Sequence, residues 1–214
     1  LMVAGAQLCN DPNFGIHVGQ NISPAAYPVL GYTLMSCENL QHALTQLTRY
    51  ESIIHNLGSF NLHVEGELLY VEWENFKPGG ECGRHVTESV FAGVRVFARS
   101  LVGSDFPVQR LEMAHEARTD RSALEGLFGG DITYGASTNQ AVSLASILEM
   151  PIIHADKSLF PVLKQHADRL LQLQSTQGGI TQEVRQILVE SLSSGLIKLS
   201  QIAKKLSMHP RTLQ

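Results

Sequence analysis

FNLHVEGELLYVEWENF, residues Phe60 to Phe76, decides what kind of fold this chain can have. Leu62 and Val64 alternate with polar neighbours before Gly66, and Leu69, Val71 and Trp73 do so after it. Period-two apolar patterning marks strands with one buried face, and a glycine between two such runs marks a tight antiparallel turn. The stretch therefore predicts a β-hairpin. Side chains of a strand repeat every two residues, so Tyr70, Glu72 and Glu74 share one face of its second arm.

On the N-terminal side, residues 38–56 have helical spacing. Leu40, Ala43, Leu44, Leu47 and Ile54 form a buried stripe, and Ser36 is placed to cap it. The opening LMVAGAQLCNDPNFGIHVGQ reads as the end of a helix, a turn or cap at Asp11-Pro12, and a short apolar segment from Phe14 to Val18.

On the C-terminal side, KPGGECG (Lys77–Gly83) is a glycine-rich loop. Residues 87–102 return to helix, with Val90, Val94, Phe97 and Leu101 on one side. Val108 to Ala114 reads as a strand with Arg110 and Glu112 on a shared face. Ser122 to Leu127 reads as a short helix stopped by Gly129-Gly130, and Ile132–Ala136 and Ala141–Leu148 as two further strands. Residues 157–173 form a helix capped by Asp156. Its narrow seam of Leu159, Leu163, His166, Leu170 and Leu173 is either the inner face of a helix packed on the sheet or a dimer contact. The order of elements predicts an α+β fold, a mainly antiparallel sheet flanked by helices. Too few strong strands are readable to close a barrel, which favours an open sheet.

QLQSTQGG, residues 172–179, has linker composition. The organisation expected is a sensing and oligomerisation domain over 1–173, a linker over 174–179, and a helical segment over 180–214. In that last segment Leu199, Ile202, Ala203 and Leu206 recur at i, i+3, i+4 and i+7, and Pro210 opens a second helical start after a tight turn. Two short helices so joined predict the start of a helix-turn-helix, whose second helix reads the DNA major groove. Lys198, Lys204, Lys205 and Arg211 give residues 195–214 a charge of +4, and the total of −4 leaves −8 for residues 1–194. A basic tail on an acidic body suits a DNA reader with a separate sensor.

The same residues carry a family likeness. LSQIAKKLSMHPRTLQ, residues 199–214, resembles the first helix-turn-helix of AraC/XylS-type transcription regulators, with Ser207 and His209 in place of the usual Gly and Ser. Asp11-Pro12-Asn13-Phe14-Gly15-Ile16-His17-Val18-Gly19 and Gly31-Tyr32-Thr33-Leu34-Met35-Ser36 are similar to segments of one subgroup's sensor domain, that of ornithine-utilisation and VirS-like regulators. So are Leu40, Ala43 and Leu44, and Phe128-Gly129 with Thr133-Tyr134-Gly135-Ala136, and the likeness covers most of residues 7–173. It implies a bacterial, cytoplasmic transcription regulator that binds double-stranded DNA as the full-length protein, senses a small-molecule effector, forms a homodimer and contacts RNA polymerase. It also implies that the chain is cut within its first helix-turn-helix.

Candidate site residues follow from these readings. Arg211, Thr212 and Gln214 stand at the start of the presumed recognition helix, where Arg reads guanine or phosphate and Gln reads adenine; Lys204 and Lys205 suit phosphates or plain solvent. If the faces bearing Tyr70 and Glu72 and bearing Arg110 converge under a helix, they form a polar pocket for a ligand with an amine or several hydroxyls; Tyr32, Trp73 and Tyr134 could line it. The plainer alternatives are a solvated sheet face and core aromatics.

Nothing in the motifs favours catalysis. The nine histidines include no H-E-x-x-H, Ser137 lies outside any G-x-S-x-G, and no phosphate-binding glycine loop has the required spacing. Neither a metal nor a cofactor is expected. Cys9, Cys37 and Cys82 are odd in number and far apart, which fits reduced thiols. No apolar run approaches the roughly 20 residues of a membrane span. Two other readings stay open: a small-molecule-binding or enzymatic domain with an incidental basic tail, and a regulator acting by protein contact alone.

Overall fold

The computed structural model describes residues 1–76, 79–117, 121–129, 131–177, 187, 199–206 and 208. The chain divides into two compact units, Leu1–Ala167 and Asp168–Gln214. The first unit opens with four helices, α1 (Met2–Leu8), α2 (Phe14–Gln20), α3 (Pro28–Met35) and α4 (Leu40–Ile54). The hairpin β1 (Gly58–Glu65) and β2 (Leu68–Asn75) follows, then the long helix α5 (Gly80–Val102) and strand β3 (Val108–Met113). Helix α6 (Ser122–Phe128), strands β4 (Ile132–Tyr134) and β5 (Asn139–Leu144), and a short 3-10 turn at Ala145–Glu149 lead to α7 (Leu159–Gln177). In the second unit the described helix α8 spans Leu199–Lys205.

The five strands form one open sheet in the order β1-β2-β5-β3-β4. It is antiparallel except between β3 and β4, which run parallel with Leu111 beside Ile132. The hairpin is as its sequence predicts. Phe60 faces Trp73 and Leu62 faces Val71, and Gly66 turns the chain at φ +59, a conformation that other residues adopt at a steric cost. One sheet face is apolar. Leu111 and Met113 are fully buried and Trp73 nearly so, packed with Ile16, Phe91, Ala92, Leu124, Leu127 and Phe128.

Several local expectations change. The segment Phe14–Val18, legible in sequence only as apolar, is part of helix α2, in which Gly15 and Gly19 fall one turn apart and let the helix press on α5. A Cβ at Gly15 would meet the His85 carbonyl oxygen, and one at Gly19 the Ser89 carbonyl oxygen, inside any allowed contact. Helix α5 starts at Gly80, so the end of the glycine-rich KPGGECG stretch is helix rather than loop; Lys77 and Pro78 lie outside the described residues. The cap of α4 is Asn39, whose Oδ1 accepts from the His42 N–H at 2.9 Å, and not Ser36. Ser36 instead donates to the Tyr32 carbonyl and finishes α3. The run Ala141–Leu148 splits into the end of β5 and the 3-10 turn.

Asp156 does cap α7: its Oδ1 accepts from the main-chain N–H groups of Ser158 at 2.8 Å and Leu159 at 3.0 Å. The seam of that helix is a correction. Leu159, His166 and Leu173 are exposed, and the fully buried residue is Ala167, so this stripe is not the inner face of a helix laid on the sheet. Among the described residues no helix is long and apolar enough to cross a membrane.

Candidate functional site

Helices α2, α3, α4 and α5 do not close on one another completely. Between them, with Leu57 and Phe60 at the start of β1, lies a cavity of about 250 Å³. Its wall is hydrocarbon: Leu30 and Leu34 from α3, Leu40, Leu44 and Leu47 from α4, and Val90, Val94 and Phe97 from α5. Met2, Val18, Ile22 and Tyr27 complete it on the N-terminal side. No Asp, Glu, Lys or Arg is among the described lining residues.

Helix α5, which supplies one wall of the cavity, is anchored on both sides. On one side Gly19 and Gly93 bring α2 and its following turn onto α5, with Ile22 Cδ1 2.4 Å from where a Gly93 Cβ would stand. A buried polar network fixes the N-terminal end of this contact. Arg84 Nη1 bonds both Glu88 oxygens at 2.8 and 2.7 Å, and its Nη2 bonds Glu81 at 2.8 Å and the Pro12 carbonyl at 3.2 Å. Burial alone would lower the Arg84 pKa, but the Glu81 and Glu88 carboxylates outweigh it and hold the guanidinium above its ordinary range. His85 Nδ1 accepts from the Gly15 N–H at 3.2 Å, which ties the α2 glycine directly to α5. On the other side Arg95 spans from the Phe106 carbonyl at 2.8 Å to Asp105 at 2.7 Å.

One polar ring stands at the β1 end of the cavity. His55 ends α4, meets the Trp73 ring edge-on at 5.5 Å, and has a buried Nδ1 with no hydrogen-bond partner among the described residues. Burial favours the neutral form and holds this imidazole below the usual histidine range, and contact with its own main chain opposes that in part. The other polar side chains of the wall are Ser23, Tyr27 and Ser89. Ser89 already donates to the Val86 carbonyl at 2.8 Å.

The residues singled out in the sequence are distributed differently. Tyr70, Glu72 and Arg110 do share one face of the sheet, because Val142 of β5 pairs with both Tyr70 and Arg110, and Gln140 with Glu72 and Glu112. That face is a ladder of mutual contacts: Tyr70 stacks on His63 at 4.7 Å, Asn61 donates to Glu72 at 2.9 Å, Gln140 to Glu112 at 2.6 Å, and Arg110 pairs with Glu112 at 2.6 Å. Trp73 points to the opposite, buried face. Tyr32 is 44% exposed on α3. Tyr134 sits apart, beside His115 and under the Arg121 guanidinium, where burial raises its phenol pKa and Arg121 opposes the rise. None of the six lines the large cavity.

Sequence reasoning found the cavity's residues, since Leu40, Leu44, Leu47, Val90, Val94 and Phe97 are the stripes of α4 and α5, but read them as closed core. Among the described residues no group of three or more His, Cys, Asp or Glu could hold a metal ion. In the second unit, Lys204 and Lys205 are exposed on α8 while Ile202 and Ala203 are buried. Arg211, Thr212 and Gln214 lie outside the described residues.

Residues 1–152 match the arabinose-binding domain found at the N-terminus of AraC transcription regulators. The chain belongs to this family. It is 27% identical over 214 residues to an HTH-type transcriptional regulator of Mycobacterium tuberculosis, covering 98% of this chain and 62% of that protein. It is 22% identical over 214 residues to the ornithine utilization regulator of Pseudomonas aeruginosa, covering 100% of this chain and 63% of the relative. The chain thus spans about three fifths of the length of these relatives. A crystal structure of the transcriptional regulator CdpR from Pseudomonas aeruginosa superposes with a TM-score of 0.60 at 17% identity, over 94% of this chain and 66% of that one. That likeness is one of fold alone.

Proposed function

We propose that this chain is the effector-sensing part of an AraC-type transcription regulator, followed by the first elements of its DNA-binding domain. The observation that carries the sensing role is the 250 Å³ cavity between α2, α3, α4 and α5, inside the residues that match the family's N-terminal domain. A concave, largely apolar pocket of this size, open at its rim, has the character of a small-molecule site. A small molecule that fits one arrangement of the four helices better than another shifts the population between them, and with it the posture of the DNA reader. Lys204 and Lys205 of α8 would meet phosphates, and Arg211, Thr212 and Gln214 the bases or backbone of an operator. The ending of α8 at Lys205, with Met208 outside helix, supports a break after the first helix of the expected pair.

The test is footprinting and reporter expression with the full-length regulator, with and without residues 1–167. Effector-dependent occupancy that disappears with the deletion is expected. Effector-dependent occupancy that persists after the deletion would overturn the sensing role.

A further inference from the structure

Resting on the sensing role just proposed, we infer that the cavity takes a neutral, largely hydrocarbon effector with a single hydrogen-bonding head, seated with that head at His55. The class follows from what the wall can and cannot solvate. A sugar carries a hydroxyl on nearly every carbon, and each one buried without a partner costs about 1–3 kcal/mol. Here the polar side chains are Ser23, Tyr27, His55 and Ser89, and Ser89 is already committed to the Val86 carbonyl. An amino acid or polyamine would bury full charges, yet none of the described lining residues is charged to pair with them. A fatty acid fails for the same reason at its carboxylate, unless it enters protonated.

What the wall does offer is dispersion contact with Leu, Val and Phe side chains and one imidazole, that of His55. Its buried Nδ1 is closed to a water-sized molecule, so a ligand hydroxyl would have to meet the imidazole at its other nitrogen. The apolar rim completes the fit: Val18, Tyr27 and Leu57 line the cavity and are themselves partly open to solvent, at 38%, 37% and 43% exposure.

Four probes of similar size separate the classes: 2-phenylethanol, ethylbenzene, phenylacetate and L-arabinose. Each is titrated into the chain and followed by thermal denaturation and by fluorescence of Trp73, the only tryptophan, which touches His55 edge-on at 5.5 Å. Saturable stabilisation and a changed Trp73 emission are expected with 2-phenylethanol and ethylbenzene, with phenylacetate at neutral pH at least about tenfold weaker and L-arabinose silent. His55→Leu should weaken 2-phenylethanol about tenfold, the worth of one buried hydrogen bond, and leave ethylbenzene unchanged. Ala98→Leu and Leu47→Trp, which fill the cavity from α5 and α4, should abolish both; two variants guard against one failing to fold. Tighter binding of phenylacetate or L-arabinose than of 2-phenylethanol, equal loss of both aromatic probes in His55→Leu, or silence of all four would overturn this ligand class. The deletion of residues 1–167 decides the sensing role separately, so the two failures cannot be confused.

Discussion

Two surfaces of the first unit, both bordering the sheet region, carry opposite chemistry. Most polar side chains of one sheet face are engaged with one another: Tyr70 with His63, Glu72 with Asn61, and both Arg110 and Gln140 with Glu112. The helical layer on the other side leaves a hole lined by hydrocarbon, with one buried nitrogen unpaired. Saturated polar surfaces are poor ligand sites, since any newcomer must displace hydrogen bonds already made. An underpacked apolar region with one imidazole in its wall gains by being filled.

The largest effect expected lies in the network that holds α5 in place. Arg84→Met strands the buried Glu88 carboxylate and should cost about 3–5 kcal/mol of stability, measured by urea denaturation; if Arg84→Met combined with Glu88→Leu is no more stable than the single variant, the pair is not the buried lock described here. Next comes the closed core. Leu111→Ala, at a fully buried position beneath α5, should cost about 2–5 kcal/mol.

The cavity should behave in the reverse sense. Ala98→Leu adds hydrocarbon where space exists and should raise stability by about 0.5–2 kcal/mol, while a loss of stability would show that the helices are already fully packed. Smaller still is the polar ladder. Arg110→Ala removes a pair that is 39% exposed on the Arg110 side and should change stability by no more than about 1 kcal/mol.

Two further measurements sharpen the contrast through ionisation. His55 has its folded pKa lowered, so between that value and the usual histidine range the unfolded chain binds more protons. Its contribution should therefore be fully present above about pH 6.5 and be lost as pH falls through the folded pKa. The acid limb should flatten in His55→Leu. Cys37 is fully buried, and burial with Glu38 nearby pushes its thiol to about 12. Alkylation at neutral pH followed by mass spectrometry should modify exposed Cys9 and Cys82 and leave Cys37 intact in the folded chain.

Much of this architecture was readable residue by residue. The alternation around Gly66 named the hairpin, the stripe of Leu40, Ala43, Leu44 and Leu47 named α4, and Asp156 named the start of α7 through its short-range hydrogen bonds. Helix α2 was legible only as a short apolar segment because its seven residues are too few to display a period, and its glycines argue against helix unless a partner backbone approaches. The start of α5 was missed for a related reason: Gly80 and Gly83 weaken local helix preference, and the Arg84 network lies several turns of argument away in sequence, reaching back to Pro12. The pairing of Tyr70 with Arg110 through Val142 joins residues on three strands, and no local pattern announces it.

Sequence alone determined the strand and helix types, the apolar stripes, and the basic tail that follows an acidic body, because each depends on spacing within a few residues. The tertiary structure decided that those stripes meet around a cavity rather than closing it, and that His55 belongs to its wall. That outcome depends on how near α2 can approach α5 at Gly15 and Gly19, and on the angle at which α3 and α4 complete the layer. Such distances between segments far apart in the chain are set by packing, and no local periodicity encodes them.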